Sequence, residues 1–96
     1  MKINISEETS NLLKAQLEKK SKKYVRVNMA GFGWGGPAFT IVLDEQINDD
    51  DITVETNGLT ILVNNEFEEF LNDSTISHSK GFMGTSFKVK SKHSTC

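Results

Sequence analysis

Cysteine is nearly absent from this chain of 96 residues, since Cys96 is the single one. One thiol excludes an internal disulfide framework and any zinc or iron–sulfur site built from four cysteines of the same chain. The sequence also lacks an apolar run of the ~7 to 15 residues typical of a signal peptide, and no stretch approaches the ~20 needed to cross a membrane. We therefore expect a soluble cytoplasmic protein without a membrane partner.

Apolar residues are scarce as well. They make up 36% of the chain, against about 45 to 50% in typical globular domains by a count that includes glycine. A chain of this length hides only about 60 to 65% of its surface on folding. The sequence therefore predicts one small core and a single domain over residues 1–96, of which residues 91–96 form a polar, flexible tail.

Charge of one sign is missing from two long stretches. Residues 31–73 hold ten acidic side chains and no lysine or arginine, whereas residues 74–96 hold four lysines and no acid. Residues 1–30 carry seven basic and three acidic side chains. The basic ends could form a nucleic-acid patch, but five of the lysines cluster around the end of one predicted helix, where they favour its dipole. We expect the ends to fold onto the acidic middle and no nucleic-acid partner.

The hydrophobic pattern favours a mainly β (α+β) fold with an N-terminal helix packed on mixed sheets. Ser6 is placed to cap a helix that ends near residues 20–23. Asn57-Gly58 separates two β-rich runs and predicts a hairpin with a type I′ turn. A short helix is expected over Glu66–Leu71. Strands are expected at residues 3–5, 24–29, 38–43, 52–56 and 59–63, with weaker ones within 74–79 and 81–90.

Four of the seven glycines and the single proline fall in the segment from Gly31 to Pro37. The spacing matches the dinucleotide fingerprint G-x-G-x-x-G, but Pro37 and the alternation after it predict a strand where that fingerprint needs a helix. The segment is expected to be neither regular strand nor helix, and one interpretation is a wide turn or bulge. Otherwise its backbone closely approaches another strand, a partner chain or a ligand. The candidate contact residues are Gly33, Trp34, Gly35 and Gly36, with Trp34 either packed in the core or exposed as a binding anchor.

Few other residues suggest chemistry. His93 and Cys96 have the spacing H-x-x-C of a soft-metal site, but two ligands on a tail are too few to hold a metal alone. His78 shares a predicted strand face with Ile76 and is more typical of a sheet surface than of an active site. No serine, histidine and acid show the spacing of a nucleophile site, so we do not expect an enzyme.

The order of these features resembles the HesB-like family, the A-type iron–sulfur carrier or biosynthesis domain. The resemblance covers nearly the whole chain. Its most specific parts are the glycine-rich loop running into Pro37-Ala38-Phe39, Leu43-Asp44-Glu45 behind it, and Gly81-Phe82. It implies a compact, mainly β fold and a role in iron–sulfur cluster assembly.

The resemblance also implies iron or an iron–sulfur cluster as the bound group, held at a subunit interface by three cysteines. One of these lies in the loop and two near the C-terminus. Here Trp34 stands at the loop position, and of the C-terminal pair Cys96 alone has a counterpart. The expected partners are a second copy of the chain and other iron–sulfur assembly proteins. Either the chain borrows ligands, such as His93, glutathione or another protein's cysteines, or it is an interaction module that keeps the fold without metal.

Overall fold

The computed structural model describes residues 1–33, 36–82 and 84–90, with the backbone alone at residues 32, 33, 36 and 37. Within these residues, the chain forms two helices, one 3-10 turn and seven strands. The helices are α1 (Glu7–Lys20) and α2 (Glu68–Leu71), and the 3-10 turn (Asn65–Phe67) leads into α2. The strands are β1 (Ile3–Ile5), β2 (Tyr24–Gly33), β3 (Gly36–Asp44), β4 (Asp51–Thr56), β5 (Leu59–Asn64), β6 (Ser74–Gly81) and β7 (Gly84–Lys90).

All seven strands join one mixed sheet in the order β1-β6-β7-β3-β2-β5-β4. The β1–β6 and β2–β5 pairs are parallel, and the other neighbours are antiparallel. Among the described residues, β3 and β7 are paired at Phe39 and Val89. This arrangement confirms the predicted mainly β fold.

Helix α1 begins and ends where its capping residues predict. The Ser6 hydroxyl accepts a hydrogen bond from the Thr9 backbone N–H at 3.1 Å, and Ser21 ends the helix in the left-handed region with φ 56°. Leu13 and Leu17 lie one turn apart and are buried in the core against the sheet. Within the described residues, no helix is long and apolar enough to span a membrane.

The glycine-rich segment is more regular than the sequence predicts. Strand β2 continues to Gly33 and β3 begins at Gly36, so the expectation that this segment is not strand was wrong for 31–33 and 36–37. The expected bulge is present, because the register shifts between Met29 and Gly31, where Gly31 has φ 155°. A bulge leaves one residue unpaired and increases the local twist, and here the pairing resumes at Gly31 opposite Ala38. As predicted, the segment leads into a strand.

Arg26, on β2, is the most heavily bonded buried charge of the described residues. Its guanidinium donates two hydrogen bonds to the Asp51 carboxylate, at 2.7 and 2.8 Å, and one to Asp44 at 2.7 Å. A fourth reaches the Gln46 carbonyl oxygen at 3.0 Å. The Asp51 side chain is 0% exposed, and the Asn48 N–H also donates to it. These bonds hold the connection 45–50 over the sheet, which confirms in part that basic and acidic segments neutralise each other.

Gly58 is expected to be hard to replace. Asn57 and Gly58 both have positive φ, 50° and 80°, as a type I′ turn requires. A Cβ at Gly58 would lie 2.8 Å from the Lys14 Nζ, which is the end of a flexible side chain and can move away, so the positive φ is the main obstacle to replacement. Gly58→Val should therefore lower the free energy of unfolding by at least ~1 kcal/mol in urea titrations, because a β-branched residue resists positive φ. The control Thr53→Val, on an exposed strand position of the same hairpin, should change it little. Equal midpoints for the two variants would contradict this turn.

Removing the buried carboxylate should destabilise the protein strongly. Asp51→Asn leaves the Arg26 charge without its bidentate partner and should lower the free energy of unfolding by about 3 kcal/mol or more. Asp49→Asn, at an exposed position two residues earlier, removes the same charge at little cost.

The Arg26 hydrogen bonds hold the pKa values of Asp44 and Asp51 below their usual range. The two ionised carboxylates therefore stabilise the fold fully above about pH 4, and this contribution is lost as pH falls through their lowered pKa values. In urea titrations, the free energy of unfolding should fall less between neutral pH and pH 2 for Asp51→Asn than for the wild type, because the variant has already lost one of these carboxylates.

Candidate functional site

The β2–β3 hairpin carries the residues that the sequence singled out as a contact loop. Gly33 and Gly36 form its last register pair. Trp34 and Gly35 lie outside the described residues. Strand β5 pairs with β2 over residues 25–27 only, so the β2–β3 hairpin extends beyond the end of the β2–β5 pairing. The side chains of residues 28–30 are exposed there. The glycine-rich end of the hairpin is thus presented away from the core.

Strand β7 ends beside the beginning of β3. Because the two strands are antiparallel and Val89 pairs with Phe39, the C-terminal end of β7 at Lys90 lies near the end of β3 that starts at Gly36. The last described residue of β7 is therefore near the first residues of β3 at the glycine-rich hairpin end. His93 and Cys96 lie outside the described residues, as does the rest of the predicted tail, so the metal site predicted for them stays a prediction.

The described residues do not assemble a metal centre of their own. No group of three or more histidine, cysteine, aspartate or glutamate side chains among residues 1–33, 36–82 and 84–90 could hold a metal ion. Asp44 and Asp51 are held by Arg26. An iron–sulfur cluster takes thiolates, usually four, and this part of the chain has none. The residues that the structure describes therefore do not fit such a cluster.

His78 has a role in holding the helix start. Its Nδ1 lies 2.7 Å from the Thr9 hydroxyl, which in turn lies 2.9 Å from the Ser6 hydroxyl. Its Nε2 is 3.8 Å from a carboxylate oxygen of Glu8. The imidazole thus joins β6 to the first turn of α1. The side chain lies on the Ile76 face, as predicted, and is largely buried, with 15% exposed.

Sequence reasoning missed two features that the structure makes prominent. Arg26 stands at a polar position of the alternating pattern in β2, yet its side chain is buried. One sequence signal pointed to Arg26: residues 31–73 hold ten acids and no lysine or arginine. A buried carboxylate in this stretch therefore has to pair with a cation from another part of the chain. The second feature is Phe82, whose side chain is fully exposed at the turn between β6 and β7. Apolar content alone could not distinguish it from a core residue.

Comparison with known proteins identifies relatives along the whole chain. The family model described as iron-sulphur cluster biosynthesis matches residues 1–95. The iron-sulfur cluster insertion protein ErpA of Alcanivorax borkumensis is 34% identical over 74 residues, covering 75% of this chain and 62% of that protein. The putative ErpA of Dechloromonas aromatica is 31% identical over 71 residues, covering 74% and 61%. The chain thus spans about three fifths of the length of these relatives.

Solved structures share the fold at low sequence identity. A crystal structure of IscA with a 2Fe-2S cluster superposes with a TM-score of 0.79 at 15% identity, covering 95% of this chain and 86% of that one. Escherichia coli SufA, described as involved in biosynthesis of iron–sulfur clusters, gives 0.77 at 15% identity over 91% and 77%. The same sheet and helix arrangement is therefore found in both. With a family model that matches residues 1–95, the chain belongs to the iron-sulphur cluster biosynthesis family, the HesB-like A-type proteins.

Proposed function

We propose that this protein acts in iron–sulfur cluster biosynthesis as a non-enzymatic carrier or delivery protein. The observation that carries the proposal is the match of the family model to residues 1–95. The relatives named as cluster insertion proteins and the shared fold of IscA and SufA support it. The strand pairing also supports it, because it places the glycine-rich hairpin and the end of β7 at the same end of the sheet.

Ligand number limits how such a protein could hold its cargo. A cluster usually needs four thiolates, whereas one chain offers Cys96 and two chains offer two. The remaining ligands would come from outside the chain or from His93. We therefore expect this protein to bind a cluster only together with a second donor molecule, such as a small thiol or another protein's cysteines. Other iron–sulfur assembly proteins are its expected partners.

A second candidate function is a protein-interaction module that keeps the fold without metal. The observation that favours it is Trp34, which stands where the resemblance places the loop cysteine. Tryptophan cannot supply a thiolate, but it is frequent among the residues that dominate binding energy at interfaces. The two candidates differ in whether Cys96 matters, because a metal-free module does not need its thiol.

Anaerobic reconstitution separates these candidates. The protein should be incubated with ferrous iron, sulfide and excess glutathione, and then analysed for bound iron, bound sulfide and visible absorbance. We expect substoichiometric cluster in the wild type and none in Cys96→Ser, because the sole thiolate is lost. Equal cluster content in the two proteins would contradict the carrier role of Cys96. No cluster in the wild type, with or without glutathione, would favour the interaction module.

Replacing Trp34 tests the loop directly. Trp34→Cys restores a thiolate at the position of the loop cysteine, and we expect it to raise cluster content about two-fold or more, since it doubles the thiolates per chain. Trp34→Ser is the matched control, because it removes the same ring and adds a similar small side chain without a thiol. Thermal unfolding of both variants checks that the fold persists. If folded Trp34→Cys gains no more iron than Trp34→Ser, the loop is not a ligand position in this protein.

A further inference from the structure

One face of the β6–β7 hairpin points away from the core. Ile76, Phe87 and Val89 lie on its inner face and are buried or half-buried against the core. Because side chains alternate along a strand, the residues between them lie on the outer face. We name this outer surface the lysine–hydroxyl face. It consists of three exposed pairs of residues directly opposite one another: Thr75–Lys90, Ser77–Lys88 and Ser79–Ser86.

Sheet stability does not explain the lysines of this face. A solvent-facing sheet surface is polar in many proteins, so polarity alone indicates no function. Lysine is depleted in strands, where β-branched and aromatic side chains pack better. It is used on edge strands to prevent unwanted pairing, but β6 and β7 lie between β1 and β3 in the sheet. The lysines therefore call for another explanation.

The positive charge of this face is not neutralised by the described part of the chain. Strands β6 and β7 contain lysines and no carboxylate. Neither Lys88 nor Lys90 forms an ion pair with a described carboxylate. The nearest acid before β6 is Asp73, whose carboxylate accepts a hydrogen bond from the Asn4 amide at 3.1 Å. A chain with a net charge of -2 thus keeps a local patch of positive charge.

The spacing of donors on this face suits the carboxylates of an extended acidic segment. Lys88 and Lys90 are two positions apart, which is about 7 Å along a strand. Acidic residues at alternate positions of an extended peptide have the same spacing. Ser77 and Thr75 lie opposite the two lysines, with Cβ atoms about 5 Å from theirs. Each ammonium thus has a hydroxyl beside it, and both groups can donate hydrogen bonds to one carboxylate.

The same features disfavour a nucleic acid as the ligand. The face contains no arginine and no aromatic ring on which a base could stack. Its two lysines would neutralise only about two phosphates. The ten acidic side chains of residues 31–73 would repel a long polyanion. A short acidic segment on a protein surface meets less of this repulsion, because its charge is local.

We propose that the lysine–hydroxyl face is a docking surface for an acidic segment of a partner protein. Lys90 lies near the start of β3, so a partner bound there is beside the glycine-rich hairpin end. Complementary charge accelerates the encounter of two proteins and fixes their orientation. The proposal rests on the proposed function only for the identity of the partner as an iron–sulfur assembly protein, and docking itself requires no cluster.

Nuclear magnetic resonance titration of the isotope-labelled full chain tests this face. The probe is a synthetic peptide with glutamate and serine at alternate positions. We expect amide signals of residues 75–79 and 86–90 to shift, and Lys88→Gln/Lys90→Gln to weaken binding at least about five-fold. The matched control is Lys19→Gln/Lys20→Gln, which removes two exposed lysines from the end of α1 and should bind like the wild type. Circular dichroism checks that both variants fold.

Three results of this titration would overturn the proposal. The first is a wild type whose signals do not shift at the lysine–hydroxyl face. The second is equal affinity of the wild type and folded Lys88→Gln/Lys90→Gln. The third is tighter binding of a single-stranded DNA oligonucleotide with the same number of charges, which would assign the face to a nucleic acid. Binding of the peptide should also weaken as salt is raised, because the charges on this face are exposed.

Cluster reconstitution of the same variants separates this proposal from the proposed function. Lys88→Gln/Lys90→Gln should take up as much iron as the wild type, because neither lysine can serve as a thiolate ligand. Loss of peptide binding with unchanged iron content would support a docking role. A wild type that binds the peptide at this face but takes up no cluster would count against the carrier function and leave the docking surface in place.

Discussion

The guanidinium of Arg26 is the constraint on which the centre of this sheet depends. A cation removed from water costs several kcal/mol unless its partners are fixed around it. Its partners come from the end of β3, the connection 45–50 and the first residue of β4. One buried charge therefore sets where β3 ends, how the chain turns back and where β4 begins. Because β2 also pairs with β3 and β5, the same residue anchors four of the seven strands.

This anchored centre leaves two hairpins that extend in opposite directions. Strands β3 and β7 are antiparallel and meet at Phe39 and Val89, so the β2–β3 tip and the β6–β7 tip lie at opposite ends of the sheet. The glycine-rich hairpin and the end of β7 share one end, and Phe82 occupies the other.

Local signals predicted most of the fold because they depend on few residues. The Ser6 hydroxyl caps α1 within one turn, and Asn57-Gly58 forms a hairpin turn through its own positive φ values, so both signals act locally. The glycine-rich segment was misjudged because glycine content disfavours a strand locally, whereas pairing with β3 stabilises it. Arg26 was missed for the same reason, because its burial depends on carboxylates 18 and 25 positions further along the chain. Pairing between distant parts of the chain cannot be deduced from the residues of one segment alone.

The fold and the metal chemistry of this family rest on different residues. The core is made of apolar side chains from α1 and the strands, and the central charge cluster is made of Arg26, Asp44 and Asp51. The residues that the structure describes, 1–33, 36–82 and 84–90, contain no cysteine, so both are built there without a thiol. A chain can therefore exchange loop and tail thiols for other residues without losing the sheet. For that reason the fold of the family does not by itself determine which group a member binds.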